Sequence, residues 1–264
     1  MIFVKSAEEI ELIRQSSLLV SKTLAEVAKH IKPGSSGVTI DKIAEDFIQS
    51  HGAKPAFKGY RGFPATLCIS VNSAVVHGLP SSREFREGDV VSVDCGVLSN
   101  NYYGDSAYSF LIKPVAVEVL KLARTTYDAL YAGIGKAVSG NRVGDISHAV
   151  QNYCESRSYT IVRELVGHGL GKSLHEEPDV PNYGKAGYGP TLKDNMVIAI
   201  EPMINMGKRQ VKTMADGWTV TTRDGKVSMH FEHTVCIKPL KADILSDFSE
   251  VETAIKNNAE LDIM

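Results

Sequence analysis

The sequence predicts an α/β domain built from two pseudo-symmetric halves around one shared sheet, and three observations predict it. Apolar residues recur at steps of three and four in several segments, as amphipathic helices require. Between these segments run β-branched and aromatic stretches joined by turn residues, as hairpins require. The order helix, helix, strand also occurs twice. Placing Gly37 on Gly140 matches Ile40 with Val143, Ile43 with Ile146 and Phe47 with Val150, and a nearly equal offset lays the strand around Asp94 on Asn195–Pro202. The expected domain is residues 1–240, with halves of about 1–112 and 113–240, followed by a peripheral tail over 241–264.

Ser6-Ala-Glu-Glu9 is a capping-box pattern, and Ile10, Ile13, Ser17, Val20, Leu24, Val27 and Ile31 follow it on one helical face. Lys32-Pro33-Gly34 ends that helix. Thr39 is the expected cap of a second helix, with Ile40, Ile43, Phe47 and Ile48 inward and Gly52 at its close. From Lys54 to Pro80 prolines break the pattern around a short strand, Thr66–Val71, and leave His77 in a loop. Val90–Ile112 then reads as two strands joined by an Asn-rich turn; centred on Ser99-Asn100, that turn sets Asp94 directly opposite Asp105. Val115–Val138 carries a third helical pattern, and Gly140–Val143 opens a fourth through Ile146, Val150 and Tyr153. Trp218–Ile237 reads as a second hairpin around Asp224-Gly225, and Ser249-Glu-Val-Glu252 starts a last short helix in the tail.

Composition narrows the partners. A chain of 264 residues with 43% hydrophobic content suits one large globular domain. Lysine and arginine total 29 against 31 acidic residues with no basic run, so neither nucleic acid nor an anionic membrane is an expected partner. Small or peptidic ligands are expected, and nothing demands more than a monomer. Cys68, Cys95, Cys154 and Cys236 lack C-x-x-C spacing, which fits free thiols in a reducing cytosol, although counting alone also allows two disulfides. Met1–Ser6 lacks the apolar core of a signal peptide, and no run of about 18 apolar residues occurs, so a cytoplasmic protein starting near its first codon is expected.

Opposed aspartates repel, so a chain that keeps both places something positive between them, most simply a metal cation. Other groups of matching chemistry join them: Gly167-His168-Gly169, Leu174-His175-Glu176-Glu177-Pro178, and the strand carboxylates Glu201 and Glu232. Period-two alternation puts Glu232 on the face opposite Phe231 and His233, so Glu232 rather than His233 is the candidate. Taken singly, His77 is an ordinary solvated loop histidine and Glu201 a strand-end carboxylate facing water beside Pro202. Together, Asp94, Asp105, His168, Glu201 and Glu232 make a donor set for two divalent ions. One imidazole against four carboxylates favours Mn, Fe, Co or Zn over a thiolate-type site.

In this order, Val93-Asp94, Gly104-Asp105-Ser106, Gly167-His168-Gly169, Leu174–Pro178, Ile200-Glu201-Pro202-Met203 and Phe231-Glu232-His233-Thr234 resemble the motifs of type I methionine aminopeptidases. Cys68–Asn72 and His77–Pro80 fit as well, and the likeness runs from about residue 5 to 240. The resemblance implies the pita-bread fold, two pseudo-symmetric halves placing a central antiparallel sheet, flanked by helices, under a dinuclear metal site. It implies removal of the initiator methionine from nascent proteins and peptides, with a small second residue preferred. Asp94, Asp105, His168, Glu201 and Glu232 correspond to the ligands, Asp105 and Glu232 bridging. Glu201 corresponds to the general base acting on a water shared by the ions, His175 to the imidazole that steadies the tetrahedral intermediate, and His77 to the one that contacts the scissile nitrogen. Tyr60, Phe63, Cys68, Leu174 and Trp218 fall on the methionine pocket. The ribosome near its exit tunnel enters as a partner through the resemblance alone.

Phe63 stands where many relatives carry Tyr, Leu174 where many carry Phe, and Phe57 where some carry a smaller residue, which bears on side-chain tolerance. The chain shows neither the cysteine-rich amino-terminal extension of some eukaryotic relatives nor the type II insert. Two alternatives stand beside this expectation. One is a proline-specific aminopeptidase or dipeptidase of the same fold, whose members usually carry a further amino-terminal domain. The other is a non-catalytic peptide-binding protein that has lost its ligands.

Overall fold

The computed structural model describes residues 2–263; Met1 and Met264 lie outside them. Helix α1 (Ala7–Ala28) starts at the capping box: the Glu9 N–H donates to Ser6 Oγ, and the Ser6 N–H donates to the Glu9 carboxylate. Its inward face carries the spacing read from sequence, with Ile10, Ile13, Val20, Leu24 and Val27 buried. Helix α2 (Gly37–Ser50) is capped by Ser36 rather than Thr39, whose N–H donates to the Ser36 hydroxyl. Ser36 has the extended backbone a cap needs, whereas Thr39 already lies inside the first turn. Gly52 closes the helix at φ +73.

The short strands β1 (Lys54–Pro55), β2 (Leu67–Val71) and β3 (Ala74–Val76) precede the long hairpin β4 (Val90–Ser99) and β5 (Tyr102–Leu111). Hairpin register departs from expectation. Its turn is Asn100-Asn101, both at positive φ (50 and 63), so Ser99 pairs with Tyr102, Asp94 with Ala107 and Asp105 with Gly96. Two adjacent asparagines in the left-handed region form the mirror-image turn that matches strand twist, which a Ser-Asn turn does less well. The displacement is by an even number of residues, so Asp94 and Asp105 still share one face, diagonally instead of directly. On the other face lies α1, close enough that a Cβ on Gly104 would run into the backbone of Ser16 and Ser17.

In the second half come α3 (Val117–Ile134) and α4 (Val143–Glu155), then β6 (Thr160–Ile161), β7 (Gly167–Gly169), β8 (Glu176–Val180), β9 (Val197–Ile200) and β10 (Met203–Asn205). They are followed by β11 (Val211–Thr213), β12 (Val220–Thr222), β13 (Ser228–His230), β14 (His233–Cys236), β15 (Asp243–Ile244) and α5 (Ser249–Asn257). Asp224-Gly225 does reverse the chain, but the flanking strands do not pair with each other. β12 joins β11 and β3, while β13 joins β10. Turn residues dictate a local reversal; the partners of three-residue strands are set by distant backbone, here the Asn72-Ser73 corner, whose carbonyls accept from Ser228 and Thr222.

The expected single sheet is divided. A four-stranded part carries β1, β4, β2 and β5, and a five-stranded part runs β15-β14-β9-β7-β8. The two meet where Ala107 bridges Glu232. There the Ser106 hydroxyl donates to the Glu232 carbonyl at 2.6 Å and the Thr234 hydroxyl to the Asp105 carbonyl at 2.7 Å. Each such buried bond contributes on the order of 1 kcal/mol. The seam therefore holds residue 105 of one half against residue 232 of the other.

Residues 241–264, expected as a peripheral tail, include α5, whose Val251 and Ile255 join the main apolar core with Leu261. Asn258 donates to the carbonyl of Ala28, the last residue of α1, and to that of Ile31 just beyond it. All four cysteines are free and buried. Among the described residues no helix is long and apolar enough to cross a membrane.

Candidate metal centre

Each half supplies an antiparallel strand pair that presents two carboxylates. In the first, β4 and β5 carry Asp94 and Asp105; in the second, Glu201 follows β9 and Glu232 lies between β13 and β14, whose neighbour β9 pairs Ile200 with His233. Glu201 does not face bulk water: its carbonyl accepts from Asn182 at 2.9 Å and its carboxylate points inward beside His168. His168 sits in β7 between two glycines that the packing requires. A Cβ on Gly167 would strike the Ala199 carbonyl, and one on Gly169 the Glu177 carbonyl. Side-chain-free neighbours let β7 lie close to its sheet partners, which carries the imidazole to the carboxylates.

His168 Nε2 stands 3.7 Å from Glu201 Oε1 and 3.9 Å from Asp105 Oδ2. Donors held by a common ion at about 2.1 Å each can be no further apart than about 4.2 Å, so these spacings suit a shared cation. Nδ1 of His168 donates to the Gly169 carbonyl at 2.9 Å, which leaves the lone pair on Nε2. Asp105, His168 and Glu232 form one group of mutually close donor atoms, and Glu201, His230 and Glu232 form a second. Glu232 belongs to both.

Electrostatics point the same way. Burial pushes Asp94 up to about 7 and raises Asp105, Glu201 and Glu232 well above the usual carboxylate range; neighbouring carboxylates push the last three further. Asp94 Oδ1, Asp105 Oδ1 and Glu232 Oε1 are buried without a hydrogen-bond partner. Four closely set acids, three of them with an orphaned oxygen and none paired to a lysine or arginine among the described residues, are costly unless cations balance them. Burial also lowers His168, which favours the neutral imidazole that a metal requires. The residues present therefore fit divalent ions.

Two imidazoles flank the carboxylates. His175 Nδ1 and the Tyr60 hydroxyl are 2.8 Å apart, and burial, with His168, Arg61 and His77 nearby, lowers His175 to about 3. The loop carrying His175 is anchored by the buried Lys5–Glu176 ion pair at 2.5 Å. His77 follows β3 with φ +56, and its segment is fixed by the Gly78 N–H donating to Ser70 Oγ at 3.1 Å. Burial lowers His77 as well.

Beside the carboxylates, Phe57, Phe63, Cys68 and Leu174 are buried together, with Tyr60 and Trp218 packed on them. Phe63 and Trp218 meet edge to face at 5.2 Å, and Asp216 fixes Trp218 by accepting from the Trp218 and Thr219 N–H groups. Cys68 is the strand partner of Asp94, so apolar wall and acidic floor are continuous. One cavity of about 270 Å³ is lined by all twelve site residues read from sequence: the four acids and one imidazole of the donor set, His77, His175, and Tyr60, Phe63, Cys68, Leu174 and Trp218 of the apolar wall.

Sequence inspection missed His230. It is buried, with Nε2 3.8 Å from Glu201 Oε2, and burial lowers it to about 3. The signal was present: the alternation that turns His233 away from Glu232 places residue 230 on the same side as 232. His233 is indeed elsewhere, with Tyr131 OH at 3.0 Å and Ser246 Oγ at 2.7 Å.

Fold and site together define a metallopeptidase. Residues 11–239 match metallopeptidase family M24. The methionine aminopeptidase of Clostridium perfringens is 48% identical over 93% of this chain and 99% of its own. The crystal structure of methionine aminopeptidase from Thermotoga maritima superposes with a TM-score of 0.92 at 40% identity, covering 94% of this chain and 100% of that one. The Rickettsia prowazekii methionine aminopeptidase structure gives a TM-score of 0.92 at 37% identity, with 94% and 100% covered. The chain belongs to family M24 and, within it, to the type I methionine aminopeptidases with the pita-bread fold. It is a hydrolase of the metallo-exopeptidase kind.

Proposed function

We propose that this enzyme removes the initiator methionine from nascent proteins and peptides whose second residue is small. The observation that carries the proposal is a single cavity in which an apolar, sulfur-bearing wall runs directly into an acidic floor. An unbranched thioether gains contact with the Phe63 and Trp218 rings and the Cys68 sulfur. The free α-amino group pairs with the carboxylates, which confines cleavage to the first peptide bond.

Asp94, Asp105, His168, Glu201 and Glu232 would hold two divalent ions. When bound, such ions supply a water activated near neutral pH and polarise the peptide carbonyl; four carboxylates and one imidazole suit Mn, Fe, Co or Zn. Glu201 takes the proton of the attacking water. The Tyr60 hydroxyl donates to His175 Nδ1, leaving a proton on Nε2 to meet the developing oxyanion. His77 contacts the scissile nitrogen from the loop after β3 and aids departure of the amine.

The test is incubation of purified enzyme and each of the four metals with Met-Ala-Ser and with peptides beginning Ala-Pro. Release of free methionine from the first alone is expected. Hydrolysis of only the Ala-Pro peptides would point to a proline-specific enzyme, and no hydrolysis with any metal to a peptide-binding protein.

A further inference from the structure

His230 is the one imidazole of the cluster to which the proposed reaction gives no task. Its Nε2 is buried, lacks a hydrogen-bond partner among the described residues, and stands 3.8 Å from Glu201 Oε2. The other oxygen of Glu201, Oε1, faces His168 Nε2 at 3.7 Å. One carboxylate thus lies between two imidazoles.

Access distinguishes them. His168 lines the cavity, whereas His230 does not and approaches the same carboxylate from the protein side. Its backbone is fixed. In β13 it pairs with Met203, its N–H donates to Ser109 Oγ at 3.2 Å, and the Ser109 hydroxyl is 2.7 Å from its carbonyl. An imidazole in such a place cannot turn out to solvent, and a buried N–H left unpaired costs on the order of 1–3 kcal/mol. The carboxylate within 4 Å of it is that of Glu201, whose terminal torsion is soft. Closing 3.8 Å to a hydrogen bond of about 3 Å takes a shift of less than about 1 Å.

We infer that His230 is a positioning residue: its Nε2–H donates to the Glu201 carboxylate from behind and holds it toward the cavity, as outer-shell partners of metal ligands do. The inference rests on Glu201 being a metal ligand, as proposed above. It concerns only the orientation of that ligand.

The test uses metal-stripped enzyme titrated with Mn(II) by calorimetry and with Co(II) by visible absorption, on wild type, H230A and H230Q, with circular dichroism to check folding. H230A is expected to bind the ion held by Glu201 about 10- to 100-fold more weakly and to change the Co(II) spectrum. H230Q keeps an N–H donor and is expected to recover most of the affinity and the wild-type spectrum. Wild-type affinity and spectrum in H230A would overturn the inference. So would a folded H230Q as weak as H230A, since a lost donor could not then be the cause. A wild type that binds neither ion would overturn the metal-centre proposal itself.

Discussion

Asp94 and Asp105 stand diagonally on one face of the β4–β5 hairpin, Asp94 across from Ala107 and Asp105 across from Gly96. With Glu201 and Glu232 from the second half they form a buried acidic cluster whose members all hold protons above the usual carboxylate range. That arrangement sets a pH dependence for the metal-free protein. Unfolded Asp and Glu titrate near 3.9 and 4.3. Folded groups with raised values keep protons the unfolded chain has released, so stability falls as pH rises from about 4 through the folded values, about 7 for Asp94 and raised well above the usual carboxylate range for the others. In EDTA, the melting temperature is expected to drop between pH 5 and pH 8, and Asp105→Asn is expected to flatten the drop. A melting temperature that rises over that range would contradict this.

Divalent ions reverse the effect. At an ion concentration 100 times the dissociation constant, binding to the folded state alone adds about 2.7 kcal/mol, which raises the melting temperature of a domain this size by roughly 5–11 °C. Differential scanning calorimetry with and without Mn(II) at pH 7.5 checks it, and an unchanged transition would count against the cluster as a metal centre.

Glu201→Gln removes both a proposed ligand and the proposed base, and turnover of Met-Ala-Ser is expected to fall by at least about 10²–10⁴-fold with the fold kept. His175→Ala is expected to lower kcat by about 10²–10³-fold while the metal content stays at the wild-type level, because the role proposed for its imidazole is to meet the oxyanion and not the ions. Steady-state kinetics beside metal analysis separates the two. Wild-type turnover in either variant would contradict the assigned roles.

Trp218→Ala removes the ring that meets Phe63 edge to face at 5.2 Å. Lost contact with the methionine side chain is expected to raise KM by about 10-fold or more, at 1.5–3 kcal/mol for a fully buried apolar side chain, with a smaller change in kcat. Equal KM values for the variant and the parent would remove Trp218 from the pocket.

Gly104→Ala probes the support behind Asp105. The new Cβ would meet the α1 backbone at Ser16 and Ser17, which cannot yield as a flexible side chain would. Destabilisation of more than about 2 kcal/mol is expected in urea denaturation, and a neutral result would show that α1 moves freely on the hairpin.

Local signals in the sequence carried far where they depend on near neighbours. The Ser6–Glu9 box, the inward face of α1 and the strand character of Val90–Ser99 follow from periodicity and capping alone. That Asp94 and Asp105 share one face was legible because side-chain parity survives a register displacement of two. Positions that depend on distant backbone were not legible. The strands flanking Asp224-Gly225 pair elsewhere, and no local pattern names β3 or β10 as their partners. The packing of α5 on the core depends on α1, more than 200 residues earlier, through Asn258. His230 differs from these: strand alternation alone places it on the same side as Glu232, opposite His233.

Anomalous diffraction from crystals soaked in Mn(II) tests the central claim most directly. Two peaks are expected in the cavity, enclosed by Asp94, Asp105, His168, Glu201 and Glu232, with Asp105 and Glu232 touching both. A map without a peak among these five side chains, in crystals whose density shows them ordered, would contradict the account.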